Sequence, residues 1–137
     1  MVLIQPETLT LLHATIPNLE AVYVFGSRAT EQTMPNSDLD LAVLAKHSLS
    51  KQEWWELSNS ISVIEHCDVD LIDLLRTTTV LQYQIVTTGQ RIWARNSFAT
   101  EYELFIYRNY EDLQIDRREI IEDILNRRSV YGRRNNK

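Results

Sequence analysis

Phe25-Gly26-Ser27-Arg28-Ala29-Thr30-Glu31-Gln32-Thr33-Met34-Pro35-Asn36-Ser37-Asp38-Leu39-Asp40 is the stretch on which the reading of this chain turns. Just before it, Ala21-Val22-Tyr23-Val24-Phe25 is rich in β-branched and aromatic residues and stops at Gly26, which predicts a strand. At its far end, Asp38-Leu39-Asp40-Leu41-Ala42-Val43-Leu44 opens with acid/apolar alternation and predicts a second strand. Between the two, residues 27–33 suit a helical turn, and Pro35-Asn36-Ser37 is a turn signal.

The chemistry of this stretch has three parts. A glycine at a strand end lets the backbone approach a ligand, Ser27 adds a hydroxyl, and N–H groups at a helix start favour phosphate. Arg28 can add a charge-assisted contact to the same anion. Asp38 and Asp40, two apart on a strand, point to one face about 6.6 Å apart along the chain, an arrangement able to share hard cations such as Mg²⁺ with substrate phosphates. A third carboxylate is sought in Val69-Asp70-Leu71-Ile72-Asp73-Leu74, an apolar run that predicts another strand. Asp70 sits between apolar neighbours, where an unpaired charge is costly and needs a reason. Asp68 lies at the strand entry and Asp73 would face the opposite side; both compete with Asp70.

Outward from this core the elements alternate. Pro6 followed by Leu9, Leu11 and Leu12 predicts a helix ending before Pro17. Ser50-Lys51-Gln52-Glu53 is a capping box ahead of Trp54, Leu57, Ile61 and Ile64 at helical spacing. Residues 78–88 read as a helix closed by Gly89 at the C′ position, and Arg91-Ile92-Trp93-Ala94 as a short fourth strand. Thr100-Glu101-Tyr102-Glu103, a second capping box, predicts the start of a long helix. That helix carries Tyr102, Phe105, Ile106, Tyr110, Leu113, Ile120 and Ile124 along one side, with a break expected near 112–116. The alternation predicts an α/β (α+β) fold with a mixed sheet of about four strands flanked by helices. The expected division is a domain over 1–98 and a C-terminal helical extension over 99–137, packed on the same domain.

Composition narrows the classes. The chain has 137 residues, 44% hydrophobic and 24% charged, with one cysteine. That excludes a disulfide framework and a cysteine-based zinc site, and with no apolar run long enough to span a bilayer and no signal peptide in view it points to the cytoplasm. A net charge of −5 argues against direct nucleic-acid binding. The charge is uneven: residues 117–137 hold seven basic and three acidic side chains, +4, against −9 for the rest. This is either a basic surface for an acidic partner or a solvated helix end. His13, His47 and His66 have no metal spacing. Cys67 reads as a structural thiol, and Trp54, Trp55 and Trp93 as core or interface residues. The tyrosines 102, 107 and 110 read equally as core or as a partner surface.

Gly26-Ser27, ten residues, Asp38-x-Asp40 and a later strand aspartate together resemble the nucleotidyltransferase superfamily related to DNA polymerase beta, in its minimal (MNT) branch. Val69 to Leu74 and the segments Tyr110-Glu111-Asp112-Leu113, Ile120-Ile121-Glu122-Asp123-Ile124 and Val130-Tyr131-Gly132 are similar to the antitoxins of HEPN/MNT toxin–antitoxin pairs, and the likeness covers nearly the whole chain. The resemblance implies an enzyme that transfers AMP from ATP to a tyrosine hydroxyl of a HEPN ribonuclease toxin and silences it. By that resemblance Gly26 and Ser27, with Arg28, would hold the triphosphate. Asp38, Asp40 and Asp70 would bind Mg²⁺, two ions, with Asp70 assisting deprotonation of the acceptor. The alternatives are transfer to a small-molecule acceptor, for which 137 residues leave little room, and a non-catalytic antitoxin masking the toxin through its basic helix.

Overall fold

The computed structural model describes residues 3–30 and 38–135, with Thr30 and 128–135 as backbone only. A four-stranded sheet in the order β3-β2-β1-β4 is built from β1 (Leu19–Phe25), β2 (Leu39–Ala45), β3 (Val69–Asp73) and β4 (Gln90–Ala94). β1 runs antiparallel to β2 and β4, while β2 and β3 are parallel. The sheet is mixed because α2 (Lys51–Glu65) intervenes between β2 and β3, as a parallel crossover requires.

The centre is covered on both faces, and all seven residues of β1 are buried. On one face Leu19, Val22, Val24, Leu39, Leu41 and Val43 pack with Leu12 and Ile16 of the α1 region (α1 is Pro6–Thr15) and with Leu57 and Ile61 of α2. On the other face Ala21, Tyr23, Phe25, Ala42 and Leu44 pack with Ile85 of α3 (Thr79–Thr88) and with Ala99 and Ile106 of α4 (Phe98–Asn135). The period of two in β2 therefore assigns odd residues to the α1/α2 side and even residues, Asp40 included, to the α3/α4 side.

Local chemistry explains most boundaries. Ser50 and Glu53 form both halves of the expected capping box. Thr78 caps α3 by accepting from the Leu81 N–H at 3.2 Å. Gly89 does not take the left-handed conformation expected at C′. Its φ is −82°, its N–H donates to Ile85 O, and a Cβ there would lie 2.4 Å from that carbonyl and 3.0 Å from Val24 O. Close approach, not a positive φ, demands the glycine.

Three expectations shift. α4 starts at Phe98, where Asn96 Oδ1 accepts the Phe98 N–H at 2.9 Å, so Thr100 and Glu103 lie inside the first turns. Both side chains instead receive Arg91 from β4, at 3.1 and 2.7 Å. The helix runs to Asn135 with no break at 112–116. Phe105, on the apolar side of α4, is half exposed, and Trp55 is exposed, which leaves it the interface reading and not the core one. The Pro35-Asn36-Ser37 turn and the end of the expected 27–33 turn lie outside the described residues.

Candidate active site

The functional stretch is assembled at one end of the sheet, where β1 finishes and both β2 and β3 begin. Antiparallel pairing sets Phe25 opposite Asp40, and the parallel ladder sets Asp40 opposite Asp70. Neighbouring strands are about 4.8 Å apart, so paired side chains on one face are adjacent. Asp38 precedes β2 by one residue and is exposed, Asp40 is half-buried, and Asp70 is exposed.

The carboxylates feel one another. The Asp40 carboxyl is pushed above its usual range, first by burial, then by the charge of Asp70, then by that of Asp38. Like charges gathered this way favour the protonated form unless a cation relieves them.

The two competing aspartates have other tasks. Asp73 sits on the opposite face, ion-paired to Arg76 at 3.0 Å and accepting from Ser48. Asp68 is exposed and uses its backbone carbonyl to accept the Leu39 N–H at 2.9 Å, which starts the parallel ladder.

Gly26 opens a 3-10 turn, Gly26–Thr30, directly against these groups. Its φ is +71°, and a Cβ on it would stand 2.1 Å from Asp40 Oδ2. The glycine is thus required by backbone conformation and by room for the carboxylate. Ser27 follows in the same turn, half-buried.

Arg28, the candidate for a further phosphate contact, follows Ser27 in the same turn and also reaches inward. Its guanidinium lies 3.8 Å from Glu65 Oε1 and donates to Leu3 O at 3.4 Å and to Cys67 Sγ at 3.1 Å. Glu65 is almost wholly buried and also accepts the Gln5 N–H at 2.8 Å and the Thr8 hydroxyl, tying the start of α1 to the end of α2. Gln90 Nε2 donates to Ala29 O at 2.9 Å from the other side. The turn is therefore braced by Glu65 and Gln90. Sequence reasoning missed both, because each is remote in the chain and belongs to no local pattern. His13 packs edge-on against Trp93, and His66 occupies a left-handed C-cap of α2.

Among the described residues no three His, Cys, Asp or Glu side chains are gathered closely enough to hold a metal ion by themselves. The donor set is open and made of oxygen. That suits Mg²⁺, which binds through one or two carboxylates plus substrate phosphates, and not structural zinc. An open carboxylate set facing a strand-end Gly-Ser turn can collect a polyphosphate and the cations that neutralise it, the requirement of nucleotidyl transfer.

The comparisons agree. Residues 7–98 match the family described as polymerase beta, nucleotidyltransferase, and the chain belongs to that family. The curated protein adenylyltransferase MntA of Shewanella oneidensis is 37% identical over 122 residues, covering 87% of this chain and 86% of that protein. A chain of a toxin–antitoxin crystal structure with AMP-PNP superposes with a TM-score of 0.76 at 36% identity, over 85% of this chain and 94% of that one. A chain in the structure of a tri-AMPylated Shewanella oneidensis HEPN toxin in complex with MNT antitoxin gives 0.72 at 34% identity, over 87% and 93%. Among the described residues no helix is long and apolar enough to cross a membrane.

Proposed function

We infer that this chain is a protein adenylyltransferase and antitoxin: it transfers AMP from ATP to a tyrosine hydroxyl of a HEPN ribonuclease toxin in the cytoplasm and thereby neutralises it. The observation that carries the reading is the alignment of Asp40 with Asp70 opposite the Gly26 turn. It occurs in a chain 37% identical to a protein adenylyltransferase. The proposed units are the transferase domain, 1–98, and the helical extension, 99–137.

The turn at Gly26-Ser27 receives the triphosphate through its backbone and the Ser27 hydroxyl. Arg28, which also lies 3.8 Å from Glu65, would add a charge-assisted contact to the same phosphates. Asp38, Asp40 and Asp70 would hold Mg²⁺, two ions, which when bound neutralise phosphate charge as Lewis acids. Asp70, exposed beside Asp40, would accept the phenolic proton of the acceptor. The tyrosine oxygen then bonds to the α-phosphorus, the α–β bridging P–O bond breaks, and pyrophosphate leaves with the electron pair.

Intact mass spectrometry of a HEPN toxin co-expressed with this chain tests the reading. Whole AMP increments with wild type, and none with the Asp38→Asn/Asp40→Asn variant, are expected. A toxin silenced without any mass gain would overturn the catalytic reading in favour of masking. AMP found only on a small molecule would overturn the protein acceptor.

A further inference from the structure

The turn that closes α2 converges on Arg28. Glu65 is the last residue of α2, His66 follows in the left-handed conformation at φ 57°, and Cys67 comes next. That conformation is unfavourable for a residue with a side chain, and the two residues on either side of it meet at one guanidinium. Glu65 Oε1 stands 3.8 Å from Arg28 Nη1, and Cys67 Sγ accepts from Arg28 Nη2 at 3.1 Å. Glu65 is ill placed for stability alone. Its side chain is only 3% exposed, and it lies at the C-terminal end of a helix, where the dipole disfavours an anion. A buried ion pair is also a poor source of stability, because desolvation offsets the attraction. The carboxylate divides its work by oxygen. Oε2 accepts the Gln5 N–H at 2.8 Å and the Thr8 hydroxyl, which ties α1 to α2. Oε1 faces Arg28 at a separation longer than a hydrogen bond and acts on the guanidinium by charge.

Arg28 is two residues on from Gly26, in the turn whose glycine stands against the Asp40 carboxylate. The turn spans only Gly26–Thr30, so a side chain fixed at 28 also fixes the backbone N–H groups beside it. The Arg28 side chain keeps 20% exposure, so the guanidinium is held without being sealed off. A polyphosphate arriving at the turn then meets a cation already oriented, and little arginine rotamer freedom is lost on binding. We propose that Glu65 is a positioning residue of the nucleotide site: through Arg28 it presets the Gly26-Ser27 turn for the triphosphate. This rests on the reading above, in which that turn and Arg28 receive the phosphates.

Glu65→Gln separates the two tasks of the carboxylate. Both α1 donors use Oε2, so the amide oxygen keeps them, and the amide nitrogen takes the place of Oε1 and removes the charge facing Arg28. Titration calorimetry of the full chain with AMP-PNP and Mg²⁺ is expected to show binding about tenfold weaker than wild type, the worth of one charge-assisted hydrogen bond. AMP transfer to a HEPN toxin is expected to show KM for ATP raised by a similar factor, with kcat unchanged. Thr8→Val cuts the α1 tie and leaves the Arg28 pair; it is expected to lower Tm and to bind AMP-PNP as wild type does. In an Arg28→Ala background Glu65→Gln is expected to weaken AMP-PNP no further. Should Glu65→Gln not fold, Glu65→Asp draws the charge back from Arg28 by one methylene and is expected to lose a smaller factor, again with no loss in the Arg28→Ala background. The proposal is overturned if the Glu65 variant binds AMP-PNP as tightly as wild type, if Thr8→Val weakens binding equally, or if the losses at Glu65 and Arg28 multiply. AMP increments on the toxin that are the same with wild type and Glu65→Gln at limiting ATP also overturn it, and leave the transfer reading standing. A wild-type chain that binds AMP-PNP better than Glu65→Gln by the expected factor, yet adds no mass to the toxin, upholds the positioning role and sinks the transfer reading instead.

Discussion

Replacing Gly26 by alanine asks one methyl group to occupy space held by the central carboxylate. The backbone there has φ +71°, and the new Cβ would lie 2.1 Å from Asp40 Oδ2 and 3.1 Å from its Cγ. The left-handed conformation costs a non-glycine residue about 1–2 kcal/mol. The clash must be relieved by rotating Asp40 away, because the backbone is fixed by the Phe25–Asp40 pairing. The expected loss of stability is about 2 kcal/mol, or roughly 7 °C in Tm at the entropy of unfolding typical of a chain of this length. Displacing a positioned group by about 1 Å costs on the order of a hundredfold in rate. The assays are thermal unfolding by circular dichroism and AMP transfer followed by intact mass. A cycle with Asp40→Ala separates the two causes: once the carboxylate is gone, Gly26→Ala should cost only the conformational part, about 1 kcal/mol. Wild-type transfer in Gly26→Ala, or an equal stability cost with and without the Asp40 side chain, would refute the reasoning.

Three further outcomes follow from the same geometry. Asp40→Asn should abolish transfer yet raise stability in metal-free buffer by about 0.5–1 kcal/mol, the size of a like-charge repulsion near the surface. The Asp40 carboxyl is raised in the folded state, so its penalty is present at neutral pH and fades as pH falls through the folded value; unfolding against pH in chelator should show the advantage of Asn shrinking in acid. Arg28→Ala removes the cation beside nearly buried Glu65 and should cost about 2 kcal/mol; denaturant titration measures it, and Arg28→Lys should recover only part because it lacks the fork that reaches Leu3 O and Cys67 together. The Tyr23 hydroxyl is pushed well above the ordinary tyrosine range by burial and then by Glu103. The folded chain therefore keeps a proton that the unfolded chain loses above about pH 10, and stability should fall with rising pH there. Tyr23→Phe should flatten that slope, and an unchanged slope in alkaline unfolding would remove Tyr23 as its source.

The boundary between what was legible in the sequence and what was not follows the range of the interactions. Gly26, Ser27, Asp38 and Asp40 could be picked out because they lie at the end of one strand and the start of the next, where a period of two predicts both carboxylates on one face, although Asp38 itself precedes β2. The Ser50–Glu53 capping box was legible for the same reason, its bonds spanning three residues. Gly89 was legible as a helix end but for the wrong cause, since the atoms that exclude a side chain include Val24 O on another strand. The expected break in α4 failed because residues 112–116 contain no glycine or proline to interrupt a helix already started and packed through Ile106.

By itself the sequence determined strands β1 and β2, the place of Asp40 at the start of β2 and the apolar stripe of the last helix, because each is a periodicity or a contact within a few residues. Only the tertiary structure decided that Asp70 rather than Asp73 stands beside Asp40, because that choice is a matter of register between parallel strands joined through α2. It alone turned Arg28 toward Glu65 and left Ile120 and Ile124 in the open. An ion pair across 37 residues, and a helix longer than the domain it packs on, depend on where distant elements come to rest.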